Sequence, residues 1–161
     1  MNTIVHAKAE DKNEILNLYR SQIGREFCPW DEHYPSEYEI DFDLSRDALF
    51  IMKDEDGRII ASISLDLDEQ VNALDCWSKD LEPGCEIARI AVLPECQNRG
   101  LARLMLSYAF DEIKYRGYKS VRFMVNKYNT KALRSYAAFN IPQVGECFMF
   151  NQDFICFEKE L

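Results

Sequence analysis

Between Glu86 and Arg116 the chain passes through three patterns in turn. An apolar stretch of strand type, Glu86-Ile87-Ala88-Arg89-Ile90-Ala91-Val92, is stopped by Pro94, and from Asn98 onward Leu101, Leu104, Met105, Tyr108, Ala109 and Ile113 return at helical spacing until Gly117. A second strand pattern, Val121 to Val125, follows at once. A strand, a long helix and a strand in succession form one strand–helix–strand unit, which fits a three-layer α/β sheet. The rest of the chain must be built around that unit.

The flanking segments read as antiparallel. Thr3 to Ala7 is a short strand, and a helix from about Asp11 carries Ile15, Leu18, Tyr19 and Ile23 on one face and ends at Gly24. After an aromatic, acidic stretch from Phe27 to Pro35, Ser36 is placed to cap a second helix reaching about Ser45. Residues 48–52 and 59–65 form strands joined by the turn Asp54-Glu55-Asp56-Gly57. Asp66 to Gly84 has weak periodicity and reads as loop or irregular strand extension. Thr130 to Phe139 is a helix, and Val144–Phe150 with Phe154–Glu158 a hairpin turned at Asn151-Gln152-Asp153. The expected class is α/β (α+β), a single domain over residues 1–161 with a mixed, mostly antiparallel central sheet of about seven strands and helices on both faces.

Composition narrows the partners. With 19 basic and 28 acidic side chains the net charge is −9, which argues against wrapping nucleic-acid phosphates. The acid is concentrated: residues 1–84 carry net −12 and residues 85–161 net +3. An acidic half can gather a cationic partner and a basic half an anionic one where both line one cleft. The six cysteines never form a CxxC pair, and only His6 and His33 could join them, so no metal site is expected. The first residues have no signal-peptide pattern and no apolar run approaches ~18 residues. The reading is a reduced, cytoplasmic protein without a membrane span, its cysteines serving as core fillers.

The turn between strand and long helix carries chemistry. In Gln97-Asn98-Arg99-Gly100-Leu101-Ala102-Arg103, a glycine at a helix start leaves main-chain N–H groups facing outward, where the positive end of the helix dipole reinforces them. Such a turn suits a diphosphate. Gly100 and the small Ala102 let it approach, and Arg99 and Arg103 add charge at the rim. Neither the dinucleotide G-x-G-x-x-G nor a G-K-[ST] loop is present.

Gln97 to Ala102 matches the Q/R-x-x-G-x-G/A signature of the GCN5-related N-acetyltransferase (GNAT) superfamily, and Asn129-Thr130-Lys131-Ala132-Leu133-Arg134-Ser135-Tyr136 resembles its second signature, N-x-x-A-x-x-x-Y. The chain resembles that family over nearly its whole length, and the stretch with Trp30, Tyr34-Pro35 and Asp41 resembles a group of small bacterial-type members. One departure is that the family often closes the second signature with Gly-Phe, where this chain has Asn140-Ile141; asparagine is the best non-glycine residue for a left-handed helix cap.

The resemblance implies the GNAT fold and an acetyl-CoA site splayed between the strands at 86–92 and 121–126. Backbone groups of Ile90 and Val92 would bind the pantetheine arm as an added strand would, amides of Asn98, Arg99, Gly100, Leu101, Ala102 and Arg103 would hold the pyrophosphate, and Asn129 would anchor the arm from the other side. Glu86, eleven residues before Gln97, has the offset of the family's base glutamate and would take the proton of an ammonium whose pKa is about 10.4 for an alkylamine. The Ile90 amide would steady the oxyanion, and Tyr136 would hydrogen-bond or protonate the departing sulfur. Direct transfer in a ternary complex needs no cysteine nucleophile. The expected activity is acetyl transfer from acetyl-CoA to a primary amine, small or peptidic and cationic, entering near Trp30 and Tyr34, the 66–84 stretch and the final hairpin. A homodimer is common among relatives. The rival reading is a non-catalytic acyl-CoA-binding or interaction domain of the same fold.

Overall fold

The computed structural model describes residues 1–161. Its strands are β1 (Thr3–His6), β2 (Leu49–Lys53), β3 (Ile59–Asp66), β4 (Gly84–Val92), β5 (Ser120–Asn126), β6 (Gln143–Met149) and β7 (Gln152–Glu160). The helices are α1 (Lys12–Arg20), α2 (Glu37–Ser45), α3 (Glu69–Asn72), α4 (Leu101–Tyr115) and α5 (Thr130–Ala137). The strands form one open sheet in the order β1-β2-β3-β4-β5-β7-β6, with β4 and β5 parallel around the α4 crossover. The chain clusters into two compact units, Met1–Asp66 with Ala88–Ala109, and Leu67–Ile87 with Phe110–Leu161.

In the first unit β2 and β3 are buried along almost their whole length, so both faces of this antiparallel pair are covered. The register shows by what. Leu49 pairs with Ser64 and Phe50 with Ile63, so Ser64 and Phe50 lie on opposite faces. The Tyr108 ring of α4 lies 5.4 Å from the Phe50 ring, while Tyr19 of α1 and Asp43 of α2 stand beside Ser64. Ile15, Leu18 and Ile40 complete the helical side of the core. Ser36 caps α2 as expected: its hydroxyl accepts the Tyr38 N–H at 3.2 Å, and the Glu39 carboxylate takes the Ser36 N–H at 2.7 Å.

In the second unit, the 67–84 segment is more ordered than its periodicity suggested. The Asp68 carboxylate accepts the amides of Gln70 and Val71 and starts α3, and the Trp77 indole then donates to the Val71 carbonyl at 2.7 Å. A helix of four residues is too short to show a 3.6-residue period, and its capping aspartate was the only local signal. Val71, Trp77 and Cys156 form a small core of their own with Leu74, Met124 and Val144. Downstream, Gly84 is required by space, since a Cβ there would lie 2.3 Å from Nε of the buried Arg122. That arginine pairs with buried Glu158 at 3.4 Å and faces the Trp77 ring at 5.4 Å.

Among the boundaries that differ from the sequence reading, three have a clear physical consequence. Helix α4 begins at Leu101 rather than Asn98, because Asn98 and Gly100 both adopt left-handed φ, 62° and 76°. Strand β4 begins at Gly84, so Glu86 is its third residue rather than its first. The last hairpin turns at Phe150-Asn151 with φ of 51° and 60°, not at 151–153, and Met149 faces Gln152. A two-residue type I′ turn demands positive φ at both central positions, and phenylalanine gives no hint of one. The asparagine cap is as expected: Asn140 follows α5 with φ 56°.

Candidate functional site

Arg89 interrupts β4 with φ 49°, a left-handed residue in the middle of a strand, and such a backbone costs about 1–2 kcal/mol for a residue with a Cβ. The β4–β5 register covers Gly84 to Glu86 and ends before it. The side chain offsets the cost. Its Nη2 donates to both oxygens of Asp43 at 3.0 and 3.1 Å, and Nη1 donates to Asp66 at 3.0 Å and to the Tyr34 hydroxyl at 3.3 Å. Asp43 is fully buried and also receives Arg46 at 2.6 Å. Burial by itself would lower the Arg89 pKa, but Asp43 and Asp66 outweigh it and raise it above its ordinary value. At Asp43 burial is the larger effect and pushes the carboxyl up against the pull of Arg89. The carboxylate is thus held at a solvation cost that two arginines must offset.

Beyond Arg89 the strand regains its alternation. The Leu93 amide donates to the Ile60 carbonyl of β3 at 2.9 Å, so the main-chain groups of Ile90 and Val92 point to the opposite edge, as an added strand would need. The two differ in one respect. The Val92 carbonyl already accepts Nε2 of Gln22 at 2.9 Å and Nε2 of Gln97 at 3.2 Å, which occupies both lone pairs. Of the Val92 main-chain groups this leaves the N–H to face an added strand on that edge, beside the main chain of Ile90. Arg25 closes the brace by donating to the side-chain oxygens of Gln22 and Gln97, each at 2.7 Å. Gln22 and Arg25 are functional candidates that sequence reasoning missed. Gln22 sits among polar neighbours late in the first helical pattern, and only its 4% exposure betrays a role.

The braced loop then enters α4. Left-handed backbone at Asn98 and Gly100 turns the chain, and the first carbonyl reached by a helical amide is that of Gly100, which accepts Leu104 at 3.2 Å. The amides of Leu101, Ala102 and Arg103 therefore precede the intrahelical ladder at the positive end of a 15-residue helix. Nothing lies within 4 Å of a Cβ built at Gly100, so positive φ, not crowding inside the protein, is what calls for glycine. Arg99 and Arg103 are exposed. This donor array fits a diphosphate.

Trp30 and Tyr34 lie in the same unit. Trp30 is half-buried with its ring 5.4 Å from Tyr19, and Tyr34 is 44% exposed with its hydroxyl tied to Arg89. Glu86, Asn129 and Tyr136 belong to the other unit. Glu86 is buried and sits in β4 opposite Arg122 of β5. The Asn129 side chain caps α5 by accepting the Ala132 amide at 3.1 Å, which uses its oxygen and leaves its NH2 as the donor to anything bound. Tyr136 is half-buried, its ring edge-on to Phe123 at 5.4 Å, and burial pushes its phenol up to about 12. No three His, Cys, Asp or Glu side chains are grouped to hold a metal ion.

Comparison with known proteins bears on the fold and the family. No curated protein sequence matches the chain. Solved structures do match. An N-acetyltransferase from Staphylococcus aureus Mu50 superposes with a TM-score of 0.78 at 18% identity, over 99% of this chain and 98% of that one. The ribosomal-protein-S18-alanine N-acetyltransferase of Escherichia coli gives 0.74 at 18% identity over 99% and 94%. A phosphinothricin acetyltransferase from Sinorhizobium meliloti, solved with AcCoA, gives 0.78 at 18% identity over 99% and 88%. The family model described as Acetyltransferase (GNAT) family matches residues 13–140. With its two signatures on a left-handed turn before α4 and on a capped α5, the chain belongs to the GNAT acetyltransferase family.

Proposed function

We propose that this protein transfers the acetyl group of acetyl-CoA to a cationic primary amine, by direct attack in a ternary complex. The observation that carries the reading is the turn from Gln97 to Arg103, whose two left-handed residues aim the first amides of α4 outward while the Gln22, Arg25 and Gln97 side chains brace it from behind. Pyrophosphate on those amides, with Arg99 and Arg103 at the rim, would place the pantetheine arm along the edge presented by Ile90 and the Val92 N–H.

The chemical step follows from what the residues can do. Glu86, a carboxylate in dry surroundings, accepts a proton from the ammonium directly or through water, and the freed amine attacks the thioester carbon. The Ile90 N–H supports the oxyanion. As the carbon–sulfur bond breaks, Tyr136 donates a hydrogen bond to the leaving thiolate, whose ordinary pKa near 8.5 means that it departs with modest help. Acidic side chains Asp31, Glu32, Glu37 and Glu39, close in sequence to Trp30 and Tyr34, favour a positively charged acceptor.

The test is release of coenzyme A from acetyl-CoA with polyamines, aminoglycosides, amino acid amides and N-terminal peptides. Saturable release with a cationic member supports the reading. Tight acetyl-CoA binding with no acceptor across the panel would instead mark a non-catalytic acyl-CoA-binding domain.

A further inference from the structure

Three of the six cysteines, expected to be core fillers, meet in the second unit. Cys147 of β6 and Cys156 of β7 have their Sγ atoms 3.8 Å apart, and Cys147 Sγ also lies 3.7 Å from Met124 Sδ. Cys76, just before Trp77, is the third. It sits on Gly145, where an added Cβ would come within 2.7 Å of its own Cβ. Gly145 faces Cys156 across the β6–β7 ladder, so the missing side chain there opens the room in which the thiols gather. Cys76 and Cys147 are half-buried, whereas Cys156 is fully buried.

The arrangement has a chemical direction. All six cysteines are free thiols, and two sulfurs in contact can be joined by thiol–disulfide exchange with an external disulfide. Cys147 faces Phe154 and Cys156 faces Gly145, so the two are diagonal neighbours on one face of the hairpin. Diagonal Cα atoms in such a ladder are about 7–8 Å apart, beyond the roughly 4.4–6.8 Å that a disulfide usually spans, so a bridge needs the strands to shift and is more easily reduced for that strain. Cys156 is a poor first nucleophile, because burial pushes its thiol well above the usual range. The partly exposed Cys147 is the point of entry.

We infer that Cys147 and Cys156 form a reversible oxidative modification site for low-molecular-weight disulfides. The Cys147 thiolate attacks one sulfur of glutathione disulfide, forming a mixed disulfide and expelling one glutathione thiolate. Cys156 then loses its proton and attacks Cys147 Sγ, expelling the second glutathione. Two protein thiols are oxidised, one external disulfide is reduced, and the two thiol protons end on two glutathiones. The bridge ties β6 to β7 beside Cys76, and so fixes the hairpin under the 67–84 segment. It does not depend on the acyl-transfer reading.

The test is incubation of the whole protein with glutathione disulfide, followed by intact-mass measurement, thiol counting in denaturant and mapping of non-reduced peptides. The expected result is the loss of two of six thiols and two hydrogens, with one Cys147–Cys156 linked peptide that dithiothreitol reverses. Cys147→Ser should keep all five remaining thiols reduced. Cys156→Ser should stop at the glutathione adduct on Cys147, and Cys28→Ser should behave as the unaltered protein. Six free thiols after treatment, a persistent adduct in the unaltered protein, or a link through Cys76 would each overturn the assignment.

Discussion

Replacing Arg89 tests whether the interruption of β4 is held by charge. Arg89→Ala removes the bidentate partner of a fully buried carboxylate and the donor to Asp66 and Tyr34, while leaving the backbone at φ 49°. Breaking a buried pair from one side costs about 3–5 kcal/mol, and because Arg46 still reaches Asp43 at 2.6 Å the loss should lie near the lower end, about 3 kcal/mol. Arg89→Gly loses the same contacts but accepts positive φ without the Cβ penalty, so it should be more stable than the alanine variant by about 1 kcal/mol. Urea unfolding reads both. With a slope of roughly 2 kcal/mol/M, the alanine midpoint should fall by about 1.5 M and the glycine midpoint by about 1 M. Equal midpoints for the two variants would show that the strand stores no such strain, and a fall under roughly 0.3 M in both would show that the buried pair holds nothing in place.

Other expectations are as direct. Gly100→Ala meets no protein atom within 4 Å but must adopt φ 76°, so unfolding should show a loss of about 1 kcal/mol while calorimetry shows acetyl-CoA affinity falling at least about tenfold; unchanged affinity would remove the turn from the cofactor site. Gln22→Leu deprives the Val92 carbonyl of one donor and Arg25 of an acceptor, so KM for acetyl-CoA should rise several-fold with kcat little changed, at a stability cost of about 1–3 kcal/mol. For Tyr136 the sign follows from its phenol sitting near 12: the group stays protonated from pH 7 to 10, so Tyr136→Phe should slow turnover by a factor constant across that range. A ratio that closes above pH 9 would mean that the tyrosine ionises there and that burial does not protect it.

The crossover was legible because β4 and α4 are long enough to display their periods, and the Asn140 cap because only a few residue types tolerate left-handed backbone. The four-residue α3 and the Phe150-Asn151 turn were not, since neither is long or compositionally marked enough to be told from loop. The site divides the same way. The amides before α4 follow from a glycine and a helix start, which are local facts. The brace on Val92 and the hold on Arg89 are not local, since they join Gln22, Arg25, Asp43 and Asp66 to residues 23 to 72 positions away.

In sequence, Glu86 to Val92 is an unbroken strand with one arginine in it, and a charged residue at a strand position reads as solvent-facing. Arg89 instead has only 8% of its surface exposed, because the helix bearing Asp43 lies on the Ser64 face of the sheet and receives it. The same acidic half that reads as a lure for cationic acceptors thus supplies two of its carboxylates, Asp43 and Asp66, to an internal cation. Under the proposed function, a cationic acceptor would be drawn by the acids that remain exposed, such as Asp31 and Glu32. On that reading, Glu32→Gln together with Asp31→Asn, which keeps an acceptor for the His33 and Tyr34 amides, should raise KM for a cationic acceptor while moving the unfolding midpoint much less than a change at Asp43 does. Neutralising Asp43 should move the midpoint first, because a charge already paired inside the protein is lost to folding before it is missed by substrate.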